Sequence, residues 1–286
     1  MKEVVILSGK GGTGKTSIVG SFAAIAQNKV MADCDVDAAD LHLLLSPSIK
    51  EENEFRSGQI AVIDNEGCIE CGLCGDLCRF DAIHDYKVDP VSCEGCGFCS
   101  HVCPVEAITM SECKAGDWFI SDSKYGPLVH ARLGIAQENS GKLVALVRQQ
   151  AKELAGKNGL DYIISDGPPG IGCPVISSLS GASLALIVTE PTLSGIHDME
   201  RVLEVCKHFG VPALVCINKY DLNDDNTVAI HDYCRENGVD VAAMVPFDNA
   251  VTGAMVEGVP VTEYSDGRVA REIKSLWEYV EKKLQE

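Results

Sequence analysis

The stretch Val4-Val5-Ile6-Leu7-Ser8-Gly9-Lys10-Gly11-Gly12-Thr13-Gly14-Lys15-Thr16 decides the fold of this 286-residue chain. An apolar run typical of a buried β-strand leads into a glycine-rich loop, and Ser17 to Gln27 is predicted to form a helix. This is the context that a G-x-x-x-x-G-K-[ST] phosphate loop requires. Its glycines let backbone N–H groups turn toward phosphate oxygens, and the helix N-terminus adds partial positive charge. The sequence therefore predicts a nucleoside triphosphate site.

Two side chains of this loop have defined tasks in phosphate-loop proteins. Lys15 is expected to reach the β and γ phosphates, and the Thr16 hydroxyl is expected to ligate Mg²⁺. The other predicted nucleotide-binding positions of the loop are Gly11, Gly12, Thr13, Gly14 and Ser17.

The overall composition limits the classes of function. A formal net charge of −18 argues against a nucleic-acid surface, which would need clustered Lys and Arg. No basic segment precedes the first apolar run, and no apolar stretch approaches the ~20 residues of a membrane span. We therefore expect a cytoplasmic protein without a signal peptide or membrane insertion.

The cysteines are concentrated in one segment. Eight of the 14 lie between Cys68 and Cys103. They form two runs of the same pattern, C-x2-C-x2-C-x3-C, in which two residues separate the first three cysteines and three residues precede the fourth. The runs are Cys68, Cys71, Cys74 and Cys78, followed by Cys93, Cys96, Cys99 and Cys103. Because the cytosol keeps thiols reduced, metal binding is expected rather than disulfides.

This duplicated pattern is the signature of a bacterial two-cluster ferredoxin, in which the fourth cysteine of each run binds the other cluster. The predicted ligands of the first [4Fe–4S] cluster are Cys68, Cys71, Cys74 and Cys103. Those of the second are Cys93, Cys96, Cys99 and Cys78. Zinc ribbons use two C-x2-C pairs with a longer spacer, so they fit less well. One departure is Arg79, which stands where proline usually follows the fourth cysteine.

The remaining sequence predicts an α/β domain interrupted by this cysteine module. Strands at Val30–Asp33, Tyr162–Asp166, Leu184–Thr189, Ala213–Asn218 and Val241–Val245 alternate with helices, which is typical of a doubly wound, mainly parallel sheet. Segments 118–120 and 128–133 are expected to return as strands to this sheet. The polar segment Ser46–Ser57 is interpreted as a linker, followed by a short strand at Gln59–Ile63. The predicted domains are residues 1–58 with 112–286, and an inserted ferredoxin domain at 59–111.

Three motifs together resemble the MinD/ParA/Mrp superfamily of P-loop ATPases, to which the nitrogenase iron protein is similar. They are K-G-G-T-G-K-T at Lys10–Thr16, D-C-D at Asp33–Asp35, and D-G-P-P-G at Asp166–Gly170. In that family the early lysine reaches across a dimer to the partner's nucleotide, which implies this role for Lys10. The resemblance also implies that Asp35 positions or deprotonates the attacking water.

The resemblance assigns further residues around the nucleotide. Asp33 or Asp37 would lie near the metal, although Asp37 also fits a helix N-cap before the helix predicted at Ala38–Leu45. Asp166 would hold Mg²⁺ through water, and Gly167 would offer its N–H to the γ-phosphate. The residues implied at the adenine base are Asn218, Pro246 and Asp248.

Two features test the limits of the resemblance. MinD ends in a basic amphipathic membrane-targeting helix, but acids offset the bases of the corresponding helix here, so we expect Val269–Leu284 to dock on the core. Cys173 follows Asp166 by the offset at which the nitrogenase iron protein places a cysteine of its dimer-bridging cluster. With Cys113 as a conceivable second ligand, this suggests a third metal site shared across a dimer.

The resemblance implies ATP hydrolysis with Mg²⁺ in a homodimer, or in a heterodimer with a related ATPase. It leaves two classes of function open for two [4Fe–4S] clusters. One is ATP-gated electron transfer to an unidentified redox or metallocofactor partner protein. The alternative is a carrier or maturation factor for iron–sulfur or mixed-metal cofactors, and spatial positioning of cargo is less favoured.

Overall fold

The structure is a computed structural model that describes residues 1–134 and 139–286. The chain divides into two compact units. The first comprises Met1–Glu52, Trp118–Arg132 and Ser140–Glu286, and the second comprises Asn53–Asp117 and Leu133–Asn139. The segment 59–111, expected from the sequence to form an inserted domain, lies within the second unit.

The strands of the described residues are β1 (Lys2–Ser8), β2 (Lys29–Asp33), β3 (Ser48–Ile63), β4 (Ile83–His84), β5 (Lys87–Val88), β6 (Ile108–Ser123), β7 (Gly126–Leu133), β8 (Tyr162–Pro169), β9 (Leu184–Thr189), β10 (Ala213–Asn218) and β11 (Asp240–Val245). The helices are α1 (Lys15–Ile25), α2 (Leu41–Leu45), α3 (Leu73–Asp76), α4 (Phe98–Val102), α5 (Ser140–Asn158), α6 (Cys173–Leu179), α7 (Leu193–His208), α8 (Asp224–Glu236), α9 (Asn249–Glu257), α10 (Val261–Tyr264) and α11 (Arg268–Gln285). None of these helices is long and apolar enough to pass through a lipid bilayer.

The main sheet has the strand order β11-β10-β9-β1-β8-β2-β7-β6-β3. Strand β1 pairs in parallel with both β8 and β9, and parallel pairing continues outward to β11 on one side and to β7 on the other. Because β1, β8 and β2 are parallel neighbours, their carboxyl ends meet at one edge of the sheet. Asp33 and Asp166 are register partners there, and the loop that follows Ser8 begins at the same edge. Ligands of doubly wound sheets bind at this edge.

Both faces of the central strands are buried, as a parallel sheet covered by helices requires. Val4 and Ile6 face one hydrophobic core with Phe22 of α1, while Val5 and Leu7 face a second core. Helix α11 completes the first core, where the rings of Trp277 and Phe22 lie 5.1 Å apart. The apolar stripe predicted for the last helix is buried as expected, at Val269, Ile273, Leu276, Val280 and Leu284.

The mainly parallel α/β sheet predicted from the sequence is confirmed, and β9 and β10 have the predicted bounds. The predicted strands at 118–120 and 128–133 lie in β6 and β7. The interpretation of Ser46–Ser57 as a linker is wrong, because most of this segment belongs to β3, an exposed strand at the sheet edge. The strand predicted at Gln59–Ile63 is only the end of β3. The helix predicted from Ala38 begins at Leu41, and α6, α9 and α10 were not predicted.

The second unit is built on two similar halves. Helices α3 and α4 follow Gly72 and Gly97, and both glycines have left-handed backbone conformations with φ of 78° and 72°. After the last cysteine of each run, a backbone N–H donates to its sulfur: Ala82 N–H to Cys78 Sγ at 3.4 Å, and Ala107 N–H to Cys103 Sγ at 3.3 Å. The repeated sequence thus gives repeated local structure.

Candidate nucleotide site and cysteine cavities

The glycine-rich loop connects β1 to α1, and its conformation depends on glycine at two positions. Gly12 and Gly14 have φ of 80° and 91°, a region that side chains other than glycine disfavour. A Cβ atom on Gly14 would lie 2.3 Å from Asn218 Nδ2. That amide donates to the carbonyl oxygen of Thr13 at 2.7 Å. Strand β10 therefore supports the loop directly through its last residue.

The loop also contains polar atoms that suit a ligand. Thr13 is 2% exposed, and its Oγ1 is buried without a hydrogen-bond partner among the described residues. Thr16 is half-buried at the first turn of α1, and Ser17 is buried. A buried hydroxyl without a partner costs free energy, so a ligand that supplies one is favoured here.

Lys15 lies among the acids at the strand ends. Its ammonium group donates to Asp166 Oδ1 and lies 3.6 Å from Asp35 Oδ2. Burial alone would lower the pKa of Lys15, but the charges of Asp166 and Asp35 raise it above its usual value. The structure thus brings together Lys15, Asp35 and Asp166, which the sequence placed at the site of hydrolysis.

Asp35 has the properties of a carboxylate that handles protons. Burial and the nearby charge of Asp166 raise its pKa above the usual value, and Lys15 opposes this shift. Asp33 lies deeper and is fully buried, where it accepts hydrogen bonds from the N–H groups of Asp35 at 3.2 Å and Leu41 at 3.3 Å. Burial raises the pKa of Asp33 well above its usual value. Asp33 therefore orders the segment that carries Asp35, while Asp37 is exposed.

Lys10 is held by residues that the sequence did not indicate. Its ammonium group lies 2.7 Å from Glu190 Oε1 and donates to Thr192 Oγ1 at 3.2 Å and Ser194 Oγ at 3.1 Å. Glu190 follows β9 and also binds Lys219 at 3.1 Å. Burial opposes the ionisation of Glu190, but hydrogen bonds from both lysines hold its pKa below the usual value.

Lys219 also donates to the carbonyl oxygen of Gly12 at 3.1 Å, so Glu190 joins Lys10, Lys219 and the loop in one network. One feature of the sequence could have indicated Glu190, because an acid at the carboxyl end of a strand lies where ligands bind. Its pairing with Lys10 depends on the sheet order and could not be read from the sequence.

The residues predicted at the base have these positions. Asn218 ends β10, and Asp248 caps α9 by accepting from Ala250 N–H at 2.8 Å. Pro246 follows β11, and the next residue, Phe247, is 51% exposed and donates its N–H to Asp221 Oδ1 at 2.7 Å. Gly167 lies within β8, packed against β1.

The second unit contains two cavities lined by cysteines. One, of about 470 Å³, is lined by five cysteines, Cys74, Cys78, Cys93, Cys96 and Cys99. The other, of about 20 Å³, is lined by Cys68, Cys71, Cys74 and Cys103. These groups contain the two predicted ligand sets. All eight thiols are free of disulfides, so they fit groups that bind through thiolate.

Three further observations concern the predicted metal sites. Among residues 1–134 and 139–286, no group of three or more His, Cys, Asp or Glu side chains has the arrangement of a single metal-ion site. Cys113, half-buried in the second unit, donates to the carbonyl oxygen of Ser57 at 3.2 Å. Cys173 is exposed at the start of α6 in the first unit.

Several known proteins are similar to this chain. The CobQ/CobB/MinD/ParA nucleotide binding domain matches residues 4–261. An uncharacterised protein of Methanocaldococcus jannaschii is 36% identical over 96% of this chain and 95% of its own length. An iron–sulfur cluster carrier protein of Pyrococcus abyssi is 27% identical over 50% of this chain and 53% of its own length. The septum site-determining protein MinD of Pyrococcus horikoshii, solved with Mg-ADP, superposes with a TM-score of 0.60 at 21% identity, over 98% of this chain and 96% of that one.

Proposed function

The chain belongs to the CobQ/CobB/MinD/ParA family of nucleotide-binding P-loop ATPases, and we propose that it is a dimeric iron–sulfur ATPase. In this proposal MgATP binding and hydrolysis are coupled to electron transfer, through two [4Fe–4S] clusters, to a partner protein or metal centre. The observation that carries the proposal is that the eight cysteines line two cavities. Each cavity includes one of the ligand sets that ferredoxin connectivity requires, and Cys74 lines both.

The nucleotide chemistry follows from the residues at the strand ends. ATP phosphates would take the ammonium group of Lys15 from Asp166 and Asp35, and Thr16 and Asp166 would hold Mg²⁺. In hydrolysis, water forms a bond to the γ-phosphorus while the bond to the β–γ bridging oxygen breaks. Asp35 would orient this water and accept its proton, a task for which its raised pKa is suited.

Lys10 is proposed to act in trans on the nucleotide of a partner subunit. For this it must leave Glu190, Thr192 and Ser194, which bind it in the single chain. Dimerisation would thus exchange the contacts of Lys10 within its own chain for contacts with phosphate. The other proposed nucleotide contacts are Gly11, Gly12, Thr13, Gly14, Ser17, Gly167, Asn218, Pro246 and Asp248.

The clusters would each be held by four thiolates and would supply one-electron transfer. The chain's own groups fit this: Cys68, Cys78 and Cys103 accept backbone N–H donors at 3.4, 3.4 and 3.3 Å. Such N–H donors stabilise negative charge on the sulfurs and tune the potential of a cluster. In sequence order the cysteines lie between Asp35 and Asp166. A nucleotide-dependent rearrangement of either carboxylate would therefore act on a segment that is covalently connected to the cysteine module.

The first test of this proposal is the metal content of the anaerobically reconstituted chain. Two clusters predict about eight iron atoms and eight sulfides per chain, with a paramagnetic signal on reduction. Replacement of Cys78 by Ser is expected to alter the second cluster, whereas Cys206→Ser, in the core of the first unit, should leave iron and spectra unchanged. Iron near one atom per chain, or none, would remove the iron–sulfur part of the proposal.

A carrier function is the second candidate, favoured by the similarity to the Pyrococcus abyssi carrier protein over half of this chain. A carrier needs a labile site. The exposed Cys173 is the proposed ligand of such a third metal site, shared across a dimer, with Cys113 as the proposed second ligand. Incubation of the loaded protein with an apo-ferredoxin, with and without ATP, separates the two candidates. Transfer of iron to the acceptor favours the carrier. Clusters that stay bound in this experiment, and that ferricytochrome c added in place of the apo-ferredoxin re-oxidises at an ATP-dependent rate, support electron transfer.

A further inference from the structure

The two cysteine cavities differ although the sequences around them are duplicates. Positions 25 residues apart correspond, so Phe80 matches Val105 and Phe98 matches Leu73. The cavity with Cys78 at its wall measures about 470 Å³, against about 20 Å³ for the other. Equivalent ligand sets therefore have different surroundings.

The larger cavity has an apolar, partly exposed border that we call the aromatic rim, formed by Leu77, Phe80 and Phe98. These side chains are 43%, 41% and 49% exposed, and all three line the cavity. Large apolar groups that remain exposed together are typical of interaction sites, and aromatic residues are enriched at the centres of protein interfaces.

The smaller cavity has a tyrosine in its lining in place of the phenylalanines of the rim. Tyr86 lines it and donates its hydroxyl to the carbonyl oxygen of Glu70 at 2.9 Å, which joins the two segments that border this cavity. The residues equivalent to the rim phenylalanines are aliphatic here, Val105 and Leu73. Three apolar residues of this cavity, Ile69, Leu73 and Val105, are also exposed, at 61%, 39% and 41%. The two cavities therefore differ in the aromatic or aliphatic nature of their borders, not in apolar exposure.

The charge of the second unit indicates the chemistry of the partner. Within residues 53–117 the acids are Glu54, Asp64, Glu66, Glu70, Asp76, Asp81, Asp85, Asp89, Glu94, Glu106, Glu112 and Asp117, and the Lys and Arg residues are Arg56, Arg79, Lys87 and Lys114. At the cavity itself Arg79 and Glu94 offset each other. The acidic surroundings therefore favour a partner with a basic surface around an apolar centre.

We propose that the aromatic rim is the docking surface for a basic electron-transfer protein, and that electrons are exchanged through the second cluster. This inference rests on the proposed function, because it requires both clusters. In the step itself one electron leaves the reduced cluster, which returns to its oxidised state, and the acceptor gains that electron. No proton or covalent bond is exchanged.

The test measures electron transfer from the dithionite-reduced protein, freed of excess reductant, to mitochondrial ferricytochrome c, a small basic haem protein. Stopped-flow absorbance gives the second-order rate constant. The rim variants are Phe80→Ser and Phe98→Ser, and their matched controls are the equivalents Val105→Ser and Leu73→Ser. Because interface aromatics carry much of the binding energy, the rim variants should lower the rate constant about fivefold or more. The controls should change it less than about twofold.

Three outcomes distinguish the possibilities. Equal losses in the rim and control variants, or a larger loss in the controls, overturn the assignment to the second cluster. A rate constant that rises with ionic strength overturns the basic partner, since attraction between opposite charges is screened by salt. Iron content is measured for every protein, and Phe80→Leu and Phe98→Leu replace any Ser variant that loses iron. A wild-type protein without reducible clusters refutes the proposed function itself.

Discussion

Glu190 should weaken dimerisation, because it binds Lys10 in the single chain. The bridge is 2.7 Å long, with side chains that are 30% and 13% exposed. A buried charge-assisted hydrogen bond contributes about 1.5–3 kcal/mol, and screening by solvent reduces this to about 1 kcal/mol at such exposure. Each dimer would break two of these bridges, so the wild type loses about 2 kcal/mol on association. Glu190→Gln should therefore tighten the dimer about 30-fold.

Sedimentation equilibrium with Mg²⁺ and a non-hydrolysable ATP analogue measures this dissociation constant. The matched control is Glu204→Gln, which removes one charge from an exposed position of α7. A second variant, Lys10→Ala combined with Glu190→Gln, should not dimerise. It lacks the ammonium group that contacts the partner's nucleotide, and removal of Glu190 cannot replace that contact. If Glu190→Gln leaves the dissociation constant unchanged, or weakens the dimer, Glu190 does not restrain Lys10.

Further predictions concern the pH dependence of stability and the fit of the loop. Burial, with a smaller contribution from His42, lowers the pKa of His130 to about 4. In the unfolded chain the imidazole of His130 binds a proton near pH 6.5. The stability that comes from its lowered pKa in the folded protein is therefore present above that pH and is lost as the pH falls toward 4. Between pH 7 and pH 5 the loss is about 2 kcal/mol. In urea unfolding, the free energy of unfolding of His130→Gln should fall by that much less than the free energy of the wild type. Equal losses in the two proteins would contradict the lowered pKa of His130. Gly14→Ala should weaken nucleotide binding by about tenfold or more in calorimetry, because its Cβ would lie 2.3 Å from Asn218 Nδ2. Gly156→Ala is the control, because a Cβ there meets open space. Equal nucleotide affinities of Gly14→Ala and this control would refute the steric reason.

The parts of the fold that follow from local patterns could be predicted. Buried parallel strands are continuous apolar runs, so β9 and β10 were recognised with their correct bounds. The segment Ser46–Ser57 was misread because an edge strand with exposed, charged side chains has the composition of a linker. Its pairing with β6 depends on residues far along the chain. Helix α9 was missed for a similar reason, since Ala254 is its one fully buried residue.

The candidate site also has parts that local sequence patterns predict and parts that they do not. The sequence identifies the strands β1, β2 and β8 that position Lys15, Asp35 and Asp166, and parallel pairing of these strands brings the three side chains together. The pairing of Glu190 with Lys10 and Lys219 depends on the position of β9 beside β1 and of β10 beside β9. No local pattern contains that order. The difference between the two cysteine cavities is likewise a matter of packing, because the ligand spacing is the same in both runs.

The central claim is that ATP controls electron transfer through the cysteine-bound clusters. The most direct measurement is the rate at which the reduced clusters are re-oxidised by ferricytochrome c, compared between MgATP, MgADP and no nucleotide, in the wild type and in Lys10→Ala. The proposal predicts that MgATP changes the wild-type rate about tenfold relative to MgADP, and that Lys10→Ala shows no such difference although its clusters are intact. Identical rates with all nucleotides in a protein that contains both clusters and hydrolyses ATP would contradict the coupling.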